Sequence, residues 1–222
     1  MDTPKIRLSK EEEALINRTD WILTKNNVFQ KVKQLFSNLQ SRQHLELQGM
    51  LNLQPAFVNS SPKISRGENY KGLPWLVLDY PRFFEKESFC AIRTLFWWGN
   101  FFSTTLHLSG KYKNAGWQKI IGLFENLQQK KFSICINIDQ WEHHFEEDNF
   151  KAIEEMGLVE FEEITGRHSF IKLAKKVPLD QWNDAEIKLA EIFSHLAHIL
   201  EISFPSDETS LLPGDPTKAF DL

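Results

Sequence analysis

The chain has 222 residues, of which 41% are hydrophobic, 13% aromatic and 25% charged, and its 26 Lys and Arg against 30 Asp and Glu leave a formal net charge of -4. Eighteen Phe and seven Trp exclude wholesale disorder, because so much apolar surface drives collapse, and the mildly acidic balance excludes a global attraction for phosphate backbones or anionic lipid. No apolar run reaches the roughly 18 residues of a membrane helix, and residues 1–10 lack the basic-then-apolar order of a secretory signal, so a cytoplasmic chain that binds neither nucleic acid nor membrane is expected.

Ser9-Lys10-Glu11-Glu12 reads as a capping box that opens a helix. Leu15, Ile16, Ile22, Leu23, Phe29, Val32, Phe36 and Leu39 then recur at helical spacing, one stripe to about Gln40 with a possible break at residues 24–27. Residues 45–58 carry a weak pattern and 59–72 read as a loop around Pro62, Gly67 and Gly72. Residues 74–80, 89–98 and 101–109 have strand character, the last two joined by Gly99-Asn100 as a two-residue type II′ hairpin. Pairing Trp98 with Phe101 would set Ile92 opposite His107 and Thr94 opposite Thr105, and would send Phe89, Ala91, Leu95, Trp97, Phe102, Leu106 and Leu108, with Arg93, into the core.

A second amphipathic helix is expected over 114–129, a strand over 132–138, a short helix over 148–156, strands over 159–164 and 168–174, and a last helix capped by Asp180 or Asn183 and running to about Glu201. The sum is one α+β domain over residues 1–202. It comprises an antiparallel or mixed sheet of about five to seven strands, packed by helices that include long N-terminal and C-terminal ones. Residues 203–222 are expected to form a loosely ordered tail. Cys90 and Cys135 sit in strand-like segments with no CxxC pair, as expected of free core thiols in a reducing compartment.

Over Gly72-Leu73-Pro74-Trp75-Leu76-Val77-Leu78-Asp79-Tyr80-Pro81-Arg82 and Phe96-Trp97-Trp98-Gly99-Asn100 the chain resembles a group of uncharacterised bacterial proteins, across about the central third of its length. The resemblance implies a bacterial, cytosolic setting and supplies no cofactor and no catalytic residue.

Arg93 is the most informative position, because a guanidinium on an apolar strand face needs a carboxylate partner, either Asp79 or Glu68 within the chain or a bound anion. Asp79, Tyr80 and Arg82 end a strand beside Pro81, where a rigid turn either presents them at a rim or is only a turn. His107 shares a strip with Ser103 and Thr105 that either lines a pocket or is solvated. His143 and Glu147, four apart, would align for a metal ion if they were helical, and otherwise belong to a solvated charge run, so no metal ligand is assigned. The rings of Phe96, Trp97, Trp98, Phe101 and Phe102 make both faces of the hairpin tip apolar, which core packing, an apolar ligand or a homodimer through Trp98 and Phe101 would cover.

Two functions fit these residues. The first is a non-enzymatic protein that binds a small molecule or a protein partner around Arg93, His107 and the turn from Asp79 through Tyr80 to Arg82. The second is a hydrolase or lyase using Asp79, Tyr80, Arg93 and His107, with a metal as an optional helper at His143 and Glu147.

Overall fold

A computed structural model describes residues 6–201. Helix α1, Lys10–Ile16, starts where the capping box places it: the Glu12 amide donates to Ser9 Oγ over 3.2 Å and the Ser9 amide to Glu12 Oε2 over 2.6 Å. The break falls at Asn17 and Arg18 rather than at 24–27, after which α2 runs unbroken over Thr19–Gly49. Only from Phe29 onward is the apolar stripe buried, through Val32, Phe36, Leu39 and Leu47, while Leu15, Ile16, Ile22 and Leu23 stay exposed. Periodicity records which residues share a helix face, but burial needs a surface opposite them. The sheet supplies one only as far as Phe29, whose ring packs on Phe96 and stacks on Trp98.

After the short helix α3, Pro55–Asn59, the sheet begins with β1, Lys63–Tyr70, inside the stretch expected to be a loop. This is an edge strand, largely solvated, so its residues show no apolar alternation. Strands β2 (Leu73–Phe84), β3 (Phe89–Trp97) and β4 (Phe101–Ser109) follow as an antiparallel meander, interrupted by a register shift in β2 between Asp79 and Arg82. Helices α4, Gly110–Gly122, and α5, Phe124–Gln129, split the expected single helix. The three-residue strands β5 (Ser133–Cys135) and β6 (Phe150–Ala152) come next.

The expected helix over 148–156 is therefore β6 and a single 3-10 turn, and the expected strand over 159–164 is helix α6, Leu158–Arg167. Phe161, Ile164 and Thr165 are the buried residues of α6, and their three-then-four spacing outweighs the strand propensity of Val159 and Ile164. Strand β7, Phe170–Pro178, and helix α7, Ala185–Ala197, complete the order. The proposed tail lies outside the described residues.

The seven strands form one antiparallel sheet in the order β1-β2-β3-β4-β7-β5-β6. Helices α2 and α7 pack on each other and on one face of it. Between them and the sheet lies the main core, with Leu78, Ile92, Phe96, Phe102, Leu106 and Leu173 supplied by the strands. Segment 136–149, which contains no helix or strand, crosses the opposite face as a strap.

The connection between β3 and β4 is a three-residue turn, Trp98-Gly99-Asn100, closed by the Asn100 amide donating to the Trp97 carbonyl over 3.1 Å. Trp97 therefore faces Phe101, Ala91 faces His107 and Arg93 faces Thr105. The expected register was one residue off on one strand, and a one-residue slip turns every side chain of that strand over. Ala91, Arg93, Leu95 and Trp97 point away from the helices, together with Phe101, Thr105 and His107. The core receives Ile92 and Phe96 of β3 instead, while Phe102, Leu106 and Leu108 of β4 enter it as expected. Phe101 is covered by Trp97 and Phe145, and Trp98 by Phe29 and Trp21, so the hairpin tip offers no flat exposed aromatic surface.

Gly99 holds this turn at φ 73°, with nothing within 4 Å of where a Cβ would sit. Gly99→Val is expected to lower stability by about 1–3 kcal/mol through backbone strain alone, and Gly99→Asn by less, as read from urea unfolding midpoints.

Candidate functional site

The register places three charged or titratable side chains from adjacent strands on the strap-covered face: Asp79 of β2, Arg93 of β3 and His107 of β4. A fourth, Lys172 of β7, sits directly across from His107. Arg93 donates through Nε to Asp79 Oδ1 over 2.7 Å and through Nη2 to Oδ2 over 2.9 Å, a bidentate fork between side chains that are 9% and 6% exposed. Burial pulls the guanidinium's pKa down, but the charge and hydrogen bonds of Asp79 outweigh it and hold Arg93 protonated above its ordinary value.

The fork uses two of the guanidinium nitrogens and leaves Nη1 for the cavity, where it lies 3.3 Å from His143 Nε2. His143 therefore accepts at Nε2 and carries its proton on Nδ1. His107 Nε2 is 3.0 Å from the Gln140 amide oxygen, so Nε2 donates and the lone pair lies on Nδ1. Lys172 is 1% exposed, and its ammonium donates to the backbone carbonyl of Glu142 and sits 5.3 Å over the Phe150 ring. No carboxylate lies within 4.0 Å of it among the described residues.

The strap closes the site and is itself tied down. Tyr70, at the end of β1, accepts from the backbone amides of His143 and His144 and donates to Glu142 Oε2 over 2.7 Å. Desolvation and the Glu142 carboxylate hold its phenol protonated. His144 bridges to the same carboxylate over 3.2 Å, while Asn137 and Asp139 each accept from the amide two residues on. Trp141 packs edge-on against His107, and Phe145 stacks on Phe150. What remains beneath is a small, partly enclosed cavity of about 10 Å³ lined by Phe84, Ala91, Arg93, Thr105, His107, His143 and Lys172, room for about one water.

Of the five expected binding residues, Asp79, Arg93 and His107 meet here. Tyr80 does not: it is buried on the helix side of the sheet, donating to the Val58 carbonyl over 2.9 Å and pairing with His44 Nδ1 over 2.8 Å. Successive strand residues point to opposite faces, so Asp79 and Tyr80 could not both reach one pocket. Arg82 turns to the rim, where Nε donates to the Ser61 carbonyl, and does not line the cavity. The catalytic set of Asp79, Tyr80, Arg93 and His107 is therefore not assembled.

The metal-assisted version also fails, because His143 and Glu147 lie in the strap and not on a helix, with His143 turned to Arg93 and Glu147 exposed. Among the described residues no group of three His, Cys, Asp or Glu is arranged around a metal position. Cys90 and Cys135 are free and buried, and burial raises both thiols. Lys172 is the residue that sequence reasoning missed. Its signal was the one that exposed Arg93: a cation between apolar neighbours in Phe170-Ile171-Lys172-Leu173-Ala174.

No protein-family model, curated protein or solved structure matches this chain. Fold and site together define an α+β protein with an open antiparallel sheet, helices on one face and a strap-covered cationic pocket on the other. No described helix is long and apolar enough to cross a membrane.

Desolvation, then the charges of Lys172 and Arg93, push His107 down to about 3, and the same causes push His143 well below its ordinary value. The unfolded chain binds protons on both rings below about pH 6.5 while the folded one does not. Their contribution to stability is therefore complete above pH 6.5 and is lost as pH falls toward the folded values, by about 1.4 kcal/mol per pH unit for each ring. His107→Gln is expected to make urea-unfolding stability between pH 7 and pH 5 less steep by about 2 kcal/mol in total. Asp79→Asn, which leaves Arg93 buried without a counter-charge, is expected to cost about 3–5 kcal/mol in the same measurement at pH 7.

Proposed function

We propose that the strap-covered face binds a small anionic ligand of the carboxylate or phosphate class, and that the protein is a non-enzymatic binder of the bacterial cytoplasm. One observation carries this reading. Two buried cations, Arg93 and Lys172, approach one cavity whose only nearby buried carboxylate among the described residues, Asp79, is already bound at both oxygens by Arg93. The positive charge of Lys172 is left to a carbonyl oxygen and an aromatic ring, a weak return for an ammonium removed from water. An anion beneath the strap would supply the missing charge, with Nη1 of Arg93 and Nζ of Lys172 as donors.

The test uses the stability of the free protein as well as binding. Burial pulls the Lys172 ammonium down to about 8, with Arg93 adding to the shift and the Cys135, Asp139 and Glu142 charges opposing it. Its protonated form at pH 7 therefore destabilises the fold, and Lys172→Met is expected to raise ligand-free stability by about 1–3 kcal/mol. In thermal melts at constant ionic strength, sodium phosphate or sodium L-lactate in place of sodium chloride is expected to raise the wild-type Tm by about 2–4 °C per kcal/mol of binding energy and to leave the variant unmoved. A wild-type Tm indifferent to both anions would refute the reading.

A further inference from the structure

Plain anion binding does not explain why one of the two cations is an amine enclosed on all sides. A surface ammonium would attract the same anion without the penalty of burial, and a second arginine would hold its charge more securely. Lys172 instead occupies a position where the unprotonated amine is far more accessible than in water. Its side chain is 1% exposed, its amine has a single protein oxygen to donate to among the described residues, and its cavity neighbours include a guanidinium and two imidazoles. Desolvation and an adjacent cation are the two conditions that turn a lysine into a nucleophile, and they hold Lys172 at about 8.

We propose that Lys172 forms an imine with the carbonyl carbon of a small 2-oxo acid whose carboxylate is received by Arg93 Nη1. This deepens the anion-binding reading and rests on it. The ligand class follows from the two groups that share the site. Amine and guanidinium line one small cavity, so an electrophilic carbon and an anionic group carried by one compact molecule would meet both. A carbonyl directly bonded to a carboxylate meets that demand. Even the smallest such acid exceeds the cavity's volume of about 10 Å³, so the strap shifts outward to admit it. The strap has no helix or strand to resist this: besides Tyr70 and its own side-chain turns, it is held by the contacts of Glu142, Gln140 and His143 with Lys172, His107 and Arg93, which the ligand would replace.

The chemistry balances within the chain. The free amine's lone pair attacks the carbonyl carbon and the carbon–oxygen π pair moves to oxygen, which receives the first proton released by the nitrogen, relayed through the neutral imidazole of His107, whose lone pair lies on Nδ1. The carbinolamine nitrogen then gives up its second proton by the same relay to the hydroxyl, which leaves as water as the carbon–nitrogen double bond forms. The sum is amine plus ketone giving imine plus water, with nothing oxidised or reduced. His143, which accepts from Arg93 Nη1 in the closed state, releases that donor to the carboxylate.

The full-length protein would be incubated with pyruvate, reduced with sodium borohydride and mapped by peptide mass spectrometry, with L-lactate melts alongside. L-Lactate presents the same carboxylate but a hydroxyl where the carbonyl would be. The expected result is one reduced pyruvate adduct per chain, on the peptide that contains Lys172 and absent from Lys172→Arg, with lactate raising Tm and giving no adduct. The wild-type map stands by itself should the variant fold poorly. Adducts missing from Lys172 or spread evenly over surface lysines, with lactate still raising Tm, would overturn the imine and leave the binding reading in place. Absence of both the adduct and the lactate shift would overturn the two together.

Discussion

The pairing of Trp97 with Phe101 across a three-residue turn decides which side of the sheet each residue of β3 and β4 faces. Strand side chains alternate with a period of two, so that single parity propagates through β2 and β7, which are hydrogen-bonded to this hairpin on either side. It delivers Ile92, Phe96, Phe102 and Leu106 to the helices and Arg93, Thr105 and His107 to the strap. With the other parity a guanidinium would enter the main core against α2 and α7, where none of the described residues buries a carboxylate to meet it, and leaving such a charge unpaired would consume a large share of a domain's net stability.

The strap-covered face is organised around charge. Asp79 and Arg93 neutralise each other in a closed fork, the arrangement in which a buried ion pair is tolerated because the guanidinium and both carboxylate oxygens are hydrogen-bonded. Lys172 has no such partner among the described residues and is accommodated by losing basicity, while His107 and His143 are kept neutral by the same surroundings. The result is a small, electropositive space with one amine, one guanidinium nitrogen outside the Asp79 fork and two uncharged imidazoles. Proteins that carry unfavourable charge in an enclosed site commonly do so for a ligand, and that ties the energetics of this fold to the binding reading.

The strap itself explains how such a face can be covered without a second helical layer. Residues 136–149 satisfy their backbone through Asn137, Asp139 and Asn149 and through the Tyr70 hydroxyl, which takes two consecutive amides. Its rings fill the apolar remainder: Trp141 over His107 and Phe89, and Phe145 between Phe101 and Phe150. Coverage by side-chain turns is cheaper to open than coverage by a helix, because fewer backbone bonds act together.

The α+β class, the capped helix start at Ser9, the strands around Asp79, Arg93 and His107 and the need for Arg93 to find a carboxylate were all legible in the sequence. Each follows from local pattern or from the cost of burying a lone charge. The parity of the hairpin was not, because a two-residue and a three-residue turn both accept Gly99-Asn100 and differ by one position in pairing. Nor were the edge strand β1, hidden by its polar composition, or helix α6, masked by β-branched residues. Lys172 joined the site only when β7 paired with β4, and Tyr80 left it for want of a common face with Asp79. Sequence by itself determined which segments fold and which charge must be paired, since those are properties of neighbours along the chain. Tertiary structure alone decided which charges share a cavity, because that depends on register between strands far apart in sequence.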